Sequence, residues 1–232
     1  MKPEVWLSGA LWSGVTLGCY LLARTVYRRW PQWWLMPLAT TPLLLTAILV
    51  AAREPYADYI TGTRWLVWLL GPAVTAFAIP IYDQRAMVLR YWRVLLIGML
   101  AGSVVAFTSA WALASLLGID GSLRLALLPR SISTPFAMQL SGAIGGVPDL
   151  TALFVVITGV LGAVMGEILL ARGIVRSALA KGAMFGVAAH AAGTAHAHRL
   201  DPKVGALSGL TMVLTGILNV LLTPLIRMAL GQ

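Results

Sequence analysis

The stretch LTALFVVITGVLGAVMGEILL, from Leu150 to Leu170, decides the fold class of this chain. It contains one charged residue, Glu167, and it is long enough to cross a bilayer as a helix, which takes ~20 apolar residues. Similar stretches recur along the 232 residues, of which 59% are hydrophobic and 11% charged. A soluble domain carries roughly a quarter charged residues. We therefore predict an all-α protein, a polytopic membrane helix bundle.

Loops and breaks divide the sequence into about seven or eight predicted membrane segments. Two apolar regions, near 121–146 and 182–199, contain Pro, Gly or polar breaks and are predicted to be interrupted or re-entrant. We treat residues 1–232 as one transmembrane domain, with an inverted repeat of halves 1–118 and 119–232 as a hypothesis. The predicted full spans, with a loop between the second and the third, are 6–23, 33–52, 65–82, 94–117, 150–170 and 204–226.

The net charge of +9 is concentrated in short loops between apolar blocks, at 24–29, 85–93 and 172–181. Cytoplasmic loops of membrane proteins collect Lys and Arg, so we predict that these loops are cytoplasmic and the N-terminus outside. The first apolar stretch is too long for a signal peptide and is predicted to stay as a membrane helix. No basic stripe is interleaved with aromatic residues, which argues against nucleic acid as a partner.

The residue inventory argues against metals, cofactors and enzymatic chemistry. A single cysteine, Cys19, excludes disulfides and cysteine-based metal sites within one chain. The three histidines have no carboxylate beside them and form no His-Glu-x-x-His pattern, so a zinc site is not expected. Nothing resembles a phosphate loop, a nucleophile elbow or paired catalytic carboxylates. We predict a protein that is not an enzyme and that uses no cofactor.

The first candidate site group is LPRSISTP, residues 128–135. Arg130 lies between two short apolar pieces, where a charge is costly unless it is paired or faces a wet cavity. It either snorkels or pairs with a carboxylate, or it binds the carboxylate of a substrate as a fork. Ser133 and Thr134 precede Pro135, which favours a helix start there. The free N–H groups of such a start attract anions, while the two hydroxyls could equally serve only as caps.

The second group is GAIGGVPDLT, residues 142–151. Gly145 and Gly146 permit a close backbone approach, so we predict a substrate-binding turn between two segments. Asp149 follows in the first turn of the next span, where its default role is to complement the helix dipole. Asp149 and Glu167, which lies within that span, are also candidates for ion coupling.

The third group, AAHAAGTAHAHR, runs from 188 to 199. On a continuous helix His190, Thr194 and His198 would share one face. Alanine and glycine surround His190 and leave space beside its imidazole, so we predict a substrate site at His190, Gly193 and Thr194. The alternative is that His190 is a buried packing residue.

Taken in order, these groups resemble the LrgB/CidB family of bacterial membrane proteins. The similarity covers nearly the whole chain and includes residues 71–82, 128–138, 142–166 and 186–197. The chain differs from the usual pattern at three positions: Arg130 stands where Lys is common, Ala189 where Ser is common, and His196 where Arg is common.

The resemblance implies two functions in the inner membrane of a bacterium. One is transport of small monocarboxylates such as glycolate, glycerate or pyruvate, as in plastid and bacterial relatives. The other is holin- or antiholin-like control of murein hydrolase export and cell lysis. Expected partners are a smaller LrgA/CidA-type membrane protein, the lipid bilayer, a small carboxylate substrate and further copies of the chain. The broken segments favour transport, since paired broken helices mark transporter sites.

Overall fold

The computed structural model describes residues 3–231 and the side-chain surroundings of residues 8–231. No strand occurs among these residues, which confirms the all-α class. Residues 1, 2 and 232 of the predicted single domain lie outside the described residues. The contacts divide the chain into two compact units between Ala76 and Phe77. This division does not test internal repetition, so the repeat hypothesis stays a prediction.

The N-terminal unit is built around three packed helices. Gly9 on the first helix and Gly62 on the third allow their backbones to touch, since a Cβ on Gly62 would lie 2.8 Å from the Gly9 Cα. Trp12, Leu45 and Tyr59, one from each helix, form the buried apolar cluster. The helices of this unit are α1 (Pro3–Arg29), α2 (Pro37–Ala52), α3 (Tyr56–Trp68) and α4 (Leu70–Ala76).

The predicted loop between the second and third spans is mostly helical, because α3 begins at Tyr56. Two side chains of α3 approach polar groups of α1. The Tyr59 and Thr16 hydroxyls are 3.1 Å apart, and the Trp65 indole N–H donates to the Ser13 hydroxyl at 2.9 Å. The loop predicted from the mixed charge of this segment was therefore wrong, because tertiary packing overrides local composition.

The C-terminal unit contains the remaining helices. Within residues 3–231 four helical stretches are long and apolar enough to cross a membrane. Stretch 56–83 begins in the N-terminal unit, and 85–116, 148–171 and 202–221 belong to the C-terminal unit. The helices of this unit are α5 (Ala78–Asp83), α6 (Arg85–Leu116), α7 (Gly121–Leu127), α8 (Thr134–Ala143), α9 (Pro148–Ala171), α10 (Ala178–Leu200), α11 (Pro202–Leu221) and α12 (Thr223–Ala229).

Helix α10 reverses direction at His190, which has φ 36° and ψ −121°. The Phe185 and His196 rings lie 5.3 Å apart, whereas eleven residues of straight helix would separate them by about 16 Å. Gly193 lies against the Phe185 carbonyl oxygen, which is 2.5 Å from where a Cβ on that glycine would lie. The two arms, residues 178–189 and 191–200, are hereafter the α10 hairpin. The interruption predicted in this region is present.

Glycine faces hold the α10 hairpin between its neighbours. Gly162 and Gly166 of α9 lie against its first arm and Gly159 lies against His190 at its tip, so the first arm runs antiparallel to α9. Gly182 and Gly186 of the same arm pack directly on the backbone of α11, which runs parallel to that arm. Helices approach this closely only where side chains are small.

The region near 121–146 is also broken where proline and serine predicted it. Helix α7 ends at Leu127, a 3-10 turn covers Leu128–Ser131, and α8 begins at Thr134. We call residues 128–133 the arginine turn. After α8 the chain doubles back, because Gly146 lies against the backbone of Leu125 and Ala126.

Candidate functional site

The tip of the α10 hairpin meets the arginine turn inside the C-terminal unit. The imidazole of His190 is fully buried and approaches the backbone of Arg130. It occupies the space left by Gly159 of α9, where an added Cβ would lie 2.5 Å from the His190 Cε1. Neither ring nitrogen makes a hydrogen bond of good geometry within the described part of the chain. Two interrupted segments that are far apart in sequence therefore converge on one buried, titratable side chain.

The guanidinium of Arg130 extends from this turn to α6. It donates to the Ala106 carbonyl oxygen at 3.2 Å and approaches the Ser109 hydroxyl at 3.5 Å. No acidic side chain among residues 8–231 forms an ion pair with Arg130. The structure therefore brings the backbone of Arg130, rather than its charge, closest to His190, and leaves a half-buried cation without a carboxylate partner.

Ser133 and Thr134 begin α8 as the sequence predicted, with Pro135 in its first turn. Ser133 is buried, and its side chain makes no capping hydrogen bond to the helix. Its carbonyl oxygen accepts the first helical bond, from the Ala137 amide at 3.0 Å. The alternative that the Ser133 hydroxyl caps α8 is therefore wrong.

Gly193 and Thr194 lie on the second arm of the α10 hairpin, just past its tip. Thr194 shares a 2.9 Å hydrogen bond with the buried Ser208 hydroxyl of α11. The expectation that His190, Thr194 and His198 share one helical face fails, because the chain reverses at His190. Thr194 and His198 still follow each other at four-residue spacing on the same arm.

Gly145 and Gly146 form the turn between α8 and α9, and Gly145 has φ 82°. Beside this turn the buried Thr151 hydroxyl lies 2.6 Å from the Ser141 hydroxyl and 3.0 Å from the Ala126 carbonyl oxygen. From Thr151 to Gly159 is about 12 Å along α9. The structure does not bring this glycine turn to the hairpin tip, and its role in binding stays a prediction.

The two acidic candidates lie at opposite ends of α9, and both are exposed. Asp149 is in the first turn, where its charge complements the helix dipole. The charge of Glu167 interacts with His196, which lies on the second arm of the hairpin. Measured along the helix axis, Asp149 lies about 15 Å and Glu167 about 12 Å from Gly159. Neither carboxylate is close to His190, and ion coupling by either stays a prediction.

Three residues that shape the site were not predicted from the sequence. Gly159 makes room for the imidazole, Ala106 accepts the Arg130 hydrogen bond through its carbonyl oxygen, and Ser208 holds Thr194. The spacing of Gly159, Gly162 and Gly166, which places them on one face, was the available signal for the first. Backbone acceptors such as Ala106 leave no signal in a sequence.

The chemistry available at the tip follows from the unpartnered ring. A neutral imidazole offers one N–H donor and one acceptor nitrogen. Leaving such groups buried and unpaired costs ~1–3 kcal/mol, and a strained backbone at positive φ costs about as much again. The ring can therefore hydrogen-bond to a small polar ligand, whereas the cation of Arg130 is directed to α6. The described residues contain no cluster of His, Cys, Asp and Glu able to hold a metal ion.

Comparison with known proteins gives the family. The chain is 36% identical over 212 residues to the uncharacterized protein YxaC of Bacillus subtilis, covering 91% of this chain and 92% of YxaC. It is 28% identical over 221 residues to the holin-like protein CidB of Staphylococcus epidermidis, covering 95% of this chain and 96% of that protein. CidB of Staphylococcus aureus is 29% identical over 212 residues, 91% of this chain and 93% of CidB.

No solved structure matches the chain. The apolar helices and the bacterial relatives fit a location in a bacterial membrane. Of the two functions that the resemblance implied, the names of the CidB relatives favour the holin-like one. The LrgB-like family matches residues 16–228, so the chain belongs to the LrgB-like family.

Proposed function

We propose that this chain is a multi-pass carrier that moves small monocarboxylates, unchanged, across the bacterial inner membrane. The observation that carries the proposal is the unpartnered, fully buried imidazole of His190 at the meeting point of two broken segments. In transporters, binding sites lie near mid-membrane at such discontinuous helices, with irregular backbone only where it lines a cavity. In this proposal a monocarboxylate of the glycolate or pyruvate kind carries the charge to pair with Arg130 and the oxygen atoms to hydrogen-bond to His190.

In this proposal the α10 hairpin enters and leaves the membrane by the same face. A straight helix of its length would extend about 34 Å, but the first arm alone extends only about 18 Å, roughly half the bilayer. The Gln84 amide donates to the Ala206 carbonyl oxygen at 3.2 Å, so the start of α11 lies at the same end as the start of α6. Residues 85–93 form the start of α6 rather than the predicted loop. Their positive charge and that of residues 172–181 make this end cytoplasmic and leave the N-terminus outside.

Cysteine labelling tests this topology. Cys19 is buried, so a Cys19→Ala background is suited to single introduced cysteines. We expect the exposed positions of Arg176→Cys and Lys203→Cys to react with an impermeant maleimide from the cytoplasmic side. Asp120→Cys, beyond the far end of α6, should react from the other side. Labelling of Lys203→Cys from the same side as Asp120→Cys would refute the hairpin topology.

The carrier function is tested by uptake of radiolabelled glycolate and pyruvate into proteoliposomes. We expect saturable uptake by the unaltered chain, its loss in His190→Ala and Arg130→Ala, and partial activity in Arg130→Lys. Arg90→Gln, at an exposed position of α6, is the matched charge control and should transport normally. No saturable uptake, with or without an LrgA/CidA-type partner, would refute the proposal.

A second candidate is a holin-like regulator of murein hydrolase export and cell lysis, acting through assembly in the membrane. It is favoured by the CidB relatives, which are named holin-like proteins and match almost the full chain. The same vesicles separate the two candidates, because a holin-like protein would release unrelated solutes such as a small fluorescent dye without saturation. Such leakage would not depend on Arg130 or His190.

A further inference from the structure

A long apolar cavity lies between α6 and the α11–α12 region of the C-terminal unit, distant in sequence from the hairpin tip. Its volume is about 310 Å³. Its walls include Val104, Phe107 and Trp111 on one side and Leu222 and Ile226 on the other. Val104 is 59% and Trp111 40% exposed, so the cavity opens at the surface of the unit.

The direction of the helices fixes the length and the ends of this cavity. The Asn219 side-chain amide donates to the Ser103 hydroxyl at 2.8 Å, and Gln84 contacts Ala206 further back, so α6 and α11 run parallel. The lining extends from Leu100 to Trp111 on α6, which is about 16 Å of helix. This length is close to half of the ~30 Å hydrocarbon core, the thickness of one leaflet.

A cation lies at one end of the cavity. The Arg124 guanidinium lies over the Trp111 ring, 4.7 Å from its centroid, and pairs with the Asp120 carboxylate. Its Nε donates to the Ile119 carbonyl oxygen at 2.8 Å. These two bonds leave further N–H donors on the guanidinium, which carries five. Tryptophan beside a basic residue is typical of the headgroup level of a membrane.

We propose that this cavity is a binding site for an anionic phospholipid, with one acyl chain between α6 and α11–α12 and the headgroup phosphate at Arg124. The apolar walls and the leaflet-long dimension match an acyl chain, and the cation at one end matches the headgroup phosphate. The proposal does not rest on the proposed transport function, since it uses neither His190 nor Arg130, but the cavity wall includes Leu128 of the arginine turn.

Two neighbouring valines provide a matched test of acyl-chain binding. Val104 lines the cavity, whereas Val105 is 64% exposed on the same helix and does not line it. Tryptophan at either position adds the same bulk at an exposed site, so both variants should fold, as judged by their unfolding temperatures. We expect Val104→Trp to weaken lipid binding at least tenfold and Val105→Trp to leave it unchanged.

Arg124→Gln tests the headgroup contact. The full chain is purified, stripped of lipid and titrated with phosphatidylglycerol or phosphatidylcholine, with bound lipids counted by native mass spectrometry. We expect the unaltered chain to prefer phosphatidylglycerol about fivefold, the effect of one basic residue near an anionic headgroup. Arg124→Gln should remove this preference, and it should weaken phosphatidylglycerol binding more than phosphatidylcholine binding, because phosphatidylcholine has the same phosphate but no net charge.

Three results would overturn the proposal. The first is equal lipid affinity in Val104→Trp and Val105→Trp. The second is an unaltered chain that binds both lipids equally. The third is a lipid-free dimer of the unaltered chain that Val104→Trp dissociates, which would make a second copy of the chain the occupant of the cavity.

Discussion

The strained backbone of His190 permits a test that separates strain from side-chain chemistry. His190→Ala and His190→Gly both delete the imidazole and leave the same space beside Gly159. They differ by one methyl group and by the backbone conformations that it allows, because glycine adopts φ 36° freely and alanine does not. The difference in stability between the two variants therefore measures the strain at the tip of the α10 hairpin.

The expected magnitude follows from two opposing contributions. Relief of backbone strain at a positive-φ residue is worth ~1–3 kcal/mol. The greater backbone freedom of glycine in the unfolded chain destabilises His190→Gly by roughly 0.5–1 kcal/mol. We expect His190→Gly to be more stable than His190→Ala by about 1 kcal/mol, an increase of roughly 2–4 °C in unfolding temperature for a chain of this size.

The assay is thermal unfolding of the purified variants in detergent, followed by intrinsic fluorescence. Ala195→Gly is the matched control, since Ala195 is exposed on the second arm of the hairpin. There glycine should destabilise by ~1 kcal/mol, the usual cost in a helix interior. If His190→Gly is no more stable than His190→Ala, the backbone at His190 is not strained, and strain does not mark the hairpin tip as a site.

Two further predictions concern the packing that holds the site. Gly186→Leu should abolish folding, because a side chain there would collide with Thr211 and the backbone of α11, whereas Gly98→Leu, with open space beside it, should yield normal amounts of monodisperse protein in detergent. Thr151→Val should lower the unfolding temperature by an amount corresponding to ~1–3 kcal/mol, because it leaves buried acceptors unpaired. Thr75→Val, at an exposed position, should change stability by less than about 0.5 kcal/mol.

The sequence was sufficient to predict the class, most helix positions and both interruptions. Long apolar runs identify membrane helices directly, because every backbone group must be satisfied inside the segment. Pro129 disfavours a continuous helix, and Pro135 suits the first turn of a new one, so the breaks near the arginine turn could be predicted from the sequence.

The reversal at His190 could not be predicted in the same way. The residues from Ala188 to Ala192 carry no proline or glycine, and alanine is the strongest helix former, so local preference favours a straight helix. The reversal depends on Gly193 lying against Phe185 and on the glycine faces of α9 and α11, which are contacts between distant residues. The direction of the Arg130 side chain was equally hidden, because its partner is a backbone oxygen of α6.

The two proposed functions require different surfaces of the C-terminal unit. A holin-like lesion between chains needs polar side chains on outer faces, where they can line water. Here several buried polar groups bond within one chain, as Ser141 does with Thr151 and Asn219 with Ser103. The exposed stripe of α9 is apolar and includes Leu153, which is 51% exposed. Such a stripe suits lipid or another apolar helix, whereas the unpartnered ring nitrogens of His190 are buried, where the proposed carrier site would use them.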